Sequence, residues 1–196
     1  MNWLLLVCMA ATAWAEPLVL KLTPSEQQVV LGQPITVGYS LINNSNAPVK
    51  VGDETRVPRP TLPAEEWGLM FEVKTPAGKT LRLQRLDEFA AFVTLSEEYF
   101  QKLSPGQALE GKTTLGNQAV NHTRWALYEP GRSNVTEREM LLLDQLFNRP
   151  GVYTVTARFA IKHNQYLSPD GLKSVPGVWQ GSVQSKPIKL EVVPRD

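Results

Sequence analysis

Hydrophobic and polar residues alternate along much of the chain. In residues 153–161 apolar side chains occupy every second position, and threonine or arginine separates most of them. Successive side chains of a β-strand point to opposite faces, so this period places one face of a strand on a core. Shorter runs with the same period occupy residues 18–22, 35–41, 69–73 and 188–192. The pattern predicts several strands that cover a core from one side.

Turn residues punctuate these runs. Thr75-Pro-Ala-Gly78 predicts a tight turn, because proline fixes φ and glycine tolerates the conformation that follows it. This turn joins strands predicted near 68–74 and 79–85 as a hairpin. Leu103-Ser-Pro-Gly106 precedes a weaker strand near 107–115, and Arg149-Pro-Gly151 precedes the run at 153–161. Many short strands separated in this way predict an all-β fold, an antiparallel sandwich or barrel.

Helix signals are few. Thr136-Glu-Arg-Glu139 is a capping-box pattern ahead of an apolar run, and it predicts a helix near 137–147 that Pro150-Gly151 ends. The alternative is that Met140–Leu143 forms a buried strand. The apolar spacing around 94–103 is compatible with another short helical turn. The proline-rich segment 53–66 is predicted to be an extended loop.

The first 15 residues are predicted to be a signal peptide. An uncharged apolar run ends in Ala13-Trp14-Ala15, whose small first and third residues suit signal peptidase. The run is short for a membrane span. Cleavage would leave residues 16–196 as a single folded domain, exported to the periplasm or the extracellular space. Cys8 is the only cysteine and would leave with the signal peptide, so the mature chain would be free of disulfides.

Composition and charge exclude several classes of protein. The 20 basic and 19 acidic residues give a formal net charge of +1, which argues against nucleic acid as the main partner. The 13 glycines and 15 prolines among 196 residues are compatible with a globular chain and not with a collagen-like one. After the first 15 residues no apolar run reaches membrane-spanning length, and the mature chain is expected to be soluble.

Four segments resemble the immunoglobulin-like β-sandwich domains of exported bacterial proteins. They are Gly32–Val37, Leu103–Gly106, Pro150–Phe159 and Trp179–Val192. The resemblance implies a sandwich in which the Pro-Gly-x-Tyr strand is the penultimate strand. It also implies that Tyr153 takes the place of the corner tyrosine, whose hydroxyl bonds nearby backbone. The chain is longer than such domains usually are, and the surplus is expected in long loops at 53–66, 84–103, 116–148 and 164–178.

A long connection, Asn117–Asn134, carries the residues predicted to recognise a partner. Aromatic and arginine side chains on a loop are typical anchors of binding sites. The candidates are Arg124, Trp125, Tyr128 and Arg132. The alternative is that Trp125 and Leu127 only pack the loop onto the sandwich. Trp179 is interpreted as a residue of the core or of a sheet edge, with a structural role.

Signals for catalysis and for metal binding are weak. His122 and His163 have no neighbouring cysteine or matched carboxylate, so neither a zinc site nor another cofactor is predicted. The acidic pairs at 53–54, 65–66, 87–88 and 97–98 follow no calcium-loop spacing and are interpreted as solvated charge. Three triplets, beginning at Asn43, Asn121 and Asn134, match the N-glycosylation pattern.

These observations predict an exported, soluble, non-enzymatic binding or scaffolding module. Its expected partner is another protein of the cell envelope or the extracellular space. One alternative is a protease inhibitor that presents a loop, such as 53–66, to a protease cleft. Another is a hydrolase with a dispersed site. The motifs specify a fold, and a fold does not by itself specify a function.

Overall fold

The computed structural model describes residues 16–52, 67–86, 100–116, 124–127, 146–162, 164–168 and 170–195. These residues form fourteen β-strands, and no helix occurs among them. The predicted all-β class is confirmed. The strands are β1 (Leu18–Pro24), β2 (Gln28–Val30), β3 (Ile35–Asn43), β4 (Val49–Gly52), β5 (Trp67–Lys74), β6 (Thr80–Leu86), β7 (Phe100–Leu103), β8 (Ala108–Leu115), β9 (Arg124–Leu127), β10 (Gly151–Ile161), β11 (Gln165–Ser168), β12 (Gly171–Ser174), β13 (Gly181–Gln184) and β14 (Ile188–Val193).

Two sheets contain most of the strands. The small sheet has the order β1-β3-β8, and the large sheet has the order β2-β14-β10-β5-β6-β9, with β13 also paired to β10. The predicted hairpin around residues 75–78 is present as the β5–β6 pair. The named strands pair antiparallel, as predicted, with one exception. Strand β2 pairs parallel with β14. After Pro24 the chain leaves the small sheet and joins the edge of the large sheet.

One hydrophobic cluster fills the space between the two sheets. Its members come from the apolar positions of the alternating runs, and several are less than 2% exposed. Fully burying each large apolar side chain contributes about 1.5–3 kcal/mol to folding. The largest fully buried side chains include Leu18, Ile35, Leu41 and Leu115 of the small sheet and Phe71, Leu83, Tyr153, Ile161 and Leu190 of the large sheet.

The two predicted helical segments are not helical in the residues that the structure describes. Leu146 and Phe147, at the end of the helix predicted over 137–147, lie in a turn. Residues 137–145, including Met140–Leu143, fall outside the described ranges. Leu103 does not continue a helical turn, because it ends strand β7, which pairs with β4. Phe100 and Leu103 are both buried, and their separation by three residues resembles helical spacing.

The last part of the large sheet is interrupted by a bulge. Both β13 and β14 pair with β10, and residues 185–187 oppose only residues 156 and 157. Ser185 is buried there, and its hydroxyl accepts a hydrogen bond of 2.9 Å from the Ala157 amide. The Ser185 amide donates in return to the Ala157 carbonyl. These two hydrogen bonds join the bulge to β10, so that β13 and β14 both pair with the same strand.

Candidate functional site

Two of the predicted binding residues lie on an edge strand and not in a loop. Arg124 and Trp125 begin β9, which pairs with β6 at the edge of the large sheet. The Cα register places Trp125 opposite Arg85 and Arg124 opposite Leu86. Tyr128 and Arg132 fall outside the described residues, so the structure places two of the four candidates.

A shallow cleft of about 480 Å³ lies on the outer face of the large sheet. The alternation of β5, β6 and β10 creates it, because Phe71, Leu83 and Ala157 point into the core and their neighbours point outward. Met70 is buried at its floor. Most of the remaining lining is polar: Glu72, Arg82, Thr156, Arg158, Ser182 and Gln184.

Two guanidinium groups dominate the chemistry of this outer-face cleft. The Arg82 Nε lies 3.4 Å from the Glu72 Oε2, and both side chains are almost half exposed. Such an exposed pair contributes at most about 1 kcal/mol to stability. The Arg158 Nε donates a 3.0 Å hydrogen bond to the Ser182 hydroxyl. The described residues include no acceptor for the terminal N–H groups of either arginine. The cleft therefore offers forked donors to a ligand.

More positive charge surrounds the outer-face cleft. Thr154 of β10 lies opposite Lys74 of β5 on one side and Lys189 of β14 on the other. Both lysines are exposed. With Glu72 already paired to Arg82, the described residues in and beside the cleft carry a net positive charge. The chain as a whole is nearly neutral, so this face concentrates basic residues.

Tyr153 lies near the start of β10, and its side chain is buried on the inner face of the large sheet. Its hydroxyl donates a 3.0 Å hydrogen bond to the Arg149 carbonyl, four residues upstream. Its ring meets Phe147 edge-on, with centroids 5.0 Å apart and planes at 67°. Burial raises the pKa of Tyr153 above its usual value, and the hydrogen bond to Arg149 and the charge of that residue oppose the rise. The bond fixes the turn at 148–150 to the strand.

Replacing Tyr153 by phenylalanine is expected to lower the free energy of unfolding by about 1 kcal/mol at pH 7. The ring and its packing remain, and one net hydrogen bond is lost. Because the folded-state pKa is raised, the contribution of the neutral hydroxyl is complete below pH ~10 and is lost as pH rises through the folded pKa. The difference in unfolding free energy between the unaltered protein and Tyr153→Phe should therefore become smaller in alkaline solution. Urea unfolding at pH 7 and at alkaline pH measures both effects, and equal midpoints at pH 7 would contradict the assignment.

Trp179 packs against the hydrophobic cluster. Its indole stacks on Phe159, with centroids 6.2 Å apart and planes at 20°. Its amide donates to the Lys50 carbonyl, while the Lys50 amide donates to the Gly177 carbonyl. Trp179 is partly buried and therefore contributes to packing while it joins segment 177–179 to β4.

Of the other residues that the sequence singled out, only Asn43 is among the described residues. His122, His163 and the four acidic pairs lie outside the described residues, as do Asn121 and Asn134. Asn43 is described and fully buried, and both of its side-chain polar atoms are hydrogen-bonded within the protein. In the folded state its amide is therefore closed to a glycan. Within the described ranges, no group of three or more histidine, cysteine, aspartate or glutamate residues could hold a metal ion.

The cleft residues are absent from the sequence predictions. Glu72 and Arg158 alternate with the apolar residues of strands that the pattern predicts, and Arg82 lies in the strand predicted near 79–85, but the pattern assigns none of them a function. The one available signal was that arginine, glutamate and threonine share the outward phase of neighbouring strands. Their convergence depends on the β10–β5–β6 register, which the sequence pattern does not specify.

The solved structures that this chain matches resemble it only weakly. No protein-family model matches the chain, and no curated protein matches it. The β-glucosidase from Listeria innocua in complex with glucose is 14% identical, with a TM-score of 0.34, over 89% of this chain and 16% of that one. The β-glucosidase 3B from Thermotoga neapolitana in complex with α-D-glucose is 14% identical, with a TM-score of 0.29 and the same coverage. The chain thus spans a small part of these enzymes, and likeness at such TM-scores carries no argument about function.

A search for membrane-spanning helices is negative for the part of the chain that the structure describes. No helix there has the length and apolar character needed to cross a bilayer.

Proposed function

We propose that the chain is an immunoglobulin-like β-sandwich that is exported and binds another protein without catalysing a reaction. The strand order supports the fold assignment. Immunoglobulin domains place their first, second and fifth strands in one sheet, and variable-type domains place strands C′, C, F and G in the other. Here β1, β3 and β8 share the small sheet, and β6, β5, β10 and β14 are neighbours in the large sheet.

The corner hydrogen bond is a second support for this fold. In immunoglobulin-like domains a tyrosine near the start of the penultimate long strand bonds to backbone a few residues upstream. Tyr153 lies near the start of β10 and donates to the Arg149 carbonyl. Export rests on the apolar run and the Ala13-Trp14-Ala15 triplet of the sequence.

The outer-face cleft is the observation that carries the binding proposal. Arginine is enriched among the residues that contribute most to protein interfaces. Arg82 and Arg158 line the cleft, and each makes one Nε contact, to Glu72 and to Ser182 respectively; the described residues include no acceptor for their terminal N–H groups. The same sheet continues through β6 to β9, which carries Arg124 and Trp125. Strand β9 therefore belongs to the same sheet as the cleft.

Capture of partners from envelope and culture-medium extracts tests the proposal. The protein produced from the full chain is immobilised and compared with an Arg82→Ser/Arg158→Ser double variant. The matched control is Lys21→Ser/Lys112→Ser, which removes two exposed cations from the other sheet. We expect the control to recover the same partners as the unaltered protein and the arginine variant to lose them. Equal recovery by all three proteins would reject this face as the binding surface.

A further inference from the structure

We propose that the outer-face cleft recognises an extended acidic segment of the partner, with peptide carboxylates received by Arg82 and Arg158. This inference rests on the proposed protein-binding function and specifies the chemistry of the ligand. It follows from three features of the described residues: the unused guanidinium donors, the excess of positive charge and the spacing of the outward positions.

The donors of Arg158 favour a carboxylate. A guanidinium presents its N–H groups in a planar fork that matches the two oxygens of a carboxylate. The Nε of Arg158 is engaged by Ser182, which orients the side chain without using its terminal nitrogens. Arg82 is oriented in the same way through its Nε by Glu72. These contacts engage only the Nε of each arginine, so the terminal forks remain available to a ligand.

The surroundings of the two arginines suit a peptide better than an isolated anion. Thr156 precedes Arg158 by two residues on β10, and Gln184 lies opposite Arg158 on β13. Their hydroxyl and amide groups can both donate and accept hydrogen bonds, as the main chain of a peptide requires. Lys74 and Lys189 extend the positive charge beyond the cleft along the same face. Charge complementarity therefore selects an acidic ligand over a neutral or basic one.

The geometry of β10 sets the spacing of the recognised residues. Thr154, Thr156 and Arg158 are successive outward positions, and such positions are about 6.8 Å apart along a strand. Lys74 and Lys189 flank the first position, Glu72 and Arg82 align with the second, and Gln184 lies beside the third. An extended peptide has the same repeat, so acidic residues at alternate positions would meet the basic groups of successive rows.

Fluorescence anisotropy with labelled synthetic peptides tests this inference on the protein made from the full chain. The probe contains Glu-Thr-Glu-Thr-Glu, and its matched control contains Gln-Thr-Gln-Thr-Gln. We expect only the acidic peptide to bind, with an affinity that falls as salt is added. Arg158→Ala should weaken binding by about tenfold or more, since a hydrogen-bonded charge is lost. Arg158→Lys should also weaken it, because the charge remains and the fork does not. Lys112→Ala should leave binding unchanged.

The outcomes separate this inference from the function on which it rests. Loss of captured partners in the Arg82/Arg158 variant, with no binding of the acidic peptide, would overturn the inference and leave the proposed function standing. Equal binding of the glutamine peptide would overturn it too. So would equally tight binding of inorganic polyphosphate with no difference between Arg158→Lys and the unaltered protein, because the face would then act as a general polyanion surface. Urea unfolding of each variant ensures that the compared proteins are folded.

Discussion

Replacing Asn43 by alanine is expected to lower the free energy of unfolding by about 3 kcal/mol. Asn43 ends strand β3 and is fully buried. Its Nδ2 donates to the Ala47 carbonyl at 2.8 Å and to the Leu103 carbonyl at 3.0 Å. Its Oδ1 accepts hydrogen bonds from the amide and the hydroxyl of Ser45. One side chain thus joins the end of β3, the following loop and the end of β7. Its removal deletes all four of these hydrogen bonds.

Asn44→Ala is the matched control, since Asn44 is the exposed neighbour in the same loop. Its substitution should change stability by less than about 0.5 kcal/mol, as surface substitutions usually do. Asn43→Asp should resemble Asn43→Ala, because a carboxylate cannot donate to the two carbonyls. Urea unfolding measures all three variants. A midpoint for Asn43→Ala equal to that of Asn44→Ala would contradict the hydrogen-bond network.

The second large effect is expected at Gly151, the first residue of β10. Its φ is +134°, a conformation that is costly for residues with a side chain. A Cβ built there would lie 2.8 Å from Cγ of Pro76, in the turn between β5 and β6. The proline ring has little freedom to move away. Gly151→Ala combines backbone strain with this collision, and we expect it to cost about 3 kcal/mol.

Gly78→Ala is the comparison variant, because it adds a side chain at a positive φ without a collision. Gly78 has a φ of +82°, and a Cβ there would have open space around it. Its substitution should therefore cost only the backbone strain, about 1 kcal/mol. Thermal or urea unfolding of the two variants gives the difference. If Gly78→Ala were as destabilising as Gly151→Ala, contact with Pro76 would not be the cause.

The sequence predicted the strands in which one apolar face is continuous. Residues 153–161 alternate over a long run, and the corresponding strand β10 is the longest that the structure describes. The hairpin at 75–78 was predictable because its turn residues have a specific conformational role. Tyr153 could be placed at the start of a strand, since Pro150-Gly151 marks the boundary.

Short strands and the cleft depend on information that a local pattern lacks. β2 and β7 contain three and four residues, so no alternation can establish itself. Phe100 and Leu103 even have helical spacing, and tertiary pairing with β4 decides their conformation. Arg82 and Arg158 belong to strands that are not paired with each other and meet only across β5. The outward residues of separate strands form a site only once the register is known.

The most direct test of the binding face is an NMR titration of the isotopically labelled protein with the Glu-Thr-Glu-Thr-Glu peptide. Amide resonances report the location of binding residue by residue, independently of any substitution. We expect the largest shifts in β5, β6, β10 and β13, around Glu72, Arg82, Arg158 and Ser182, and no shifts in β1, β3 and β8. Shifts confined to the small sheet, or no shifts at concentrations where the peptide is bound, would contradict this expectation.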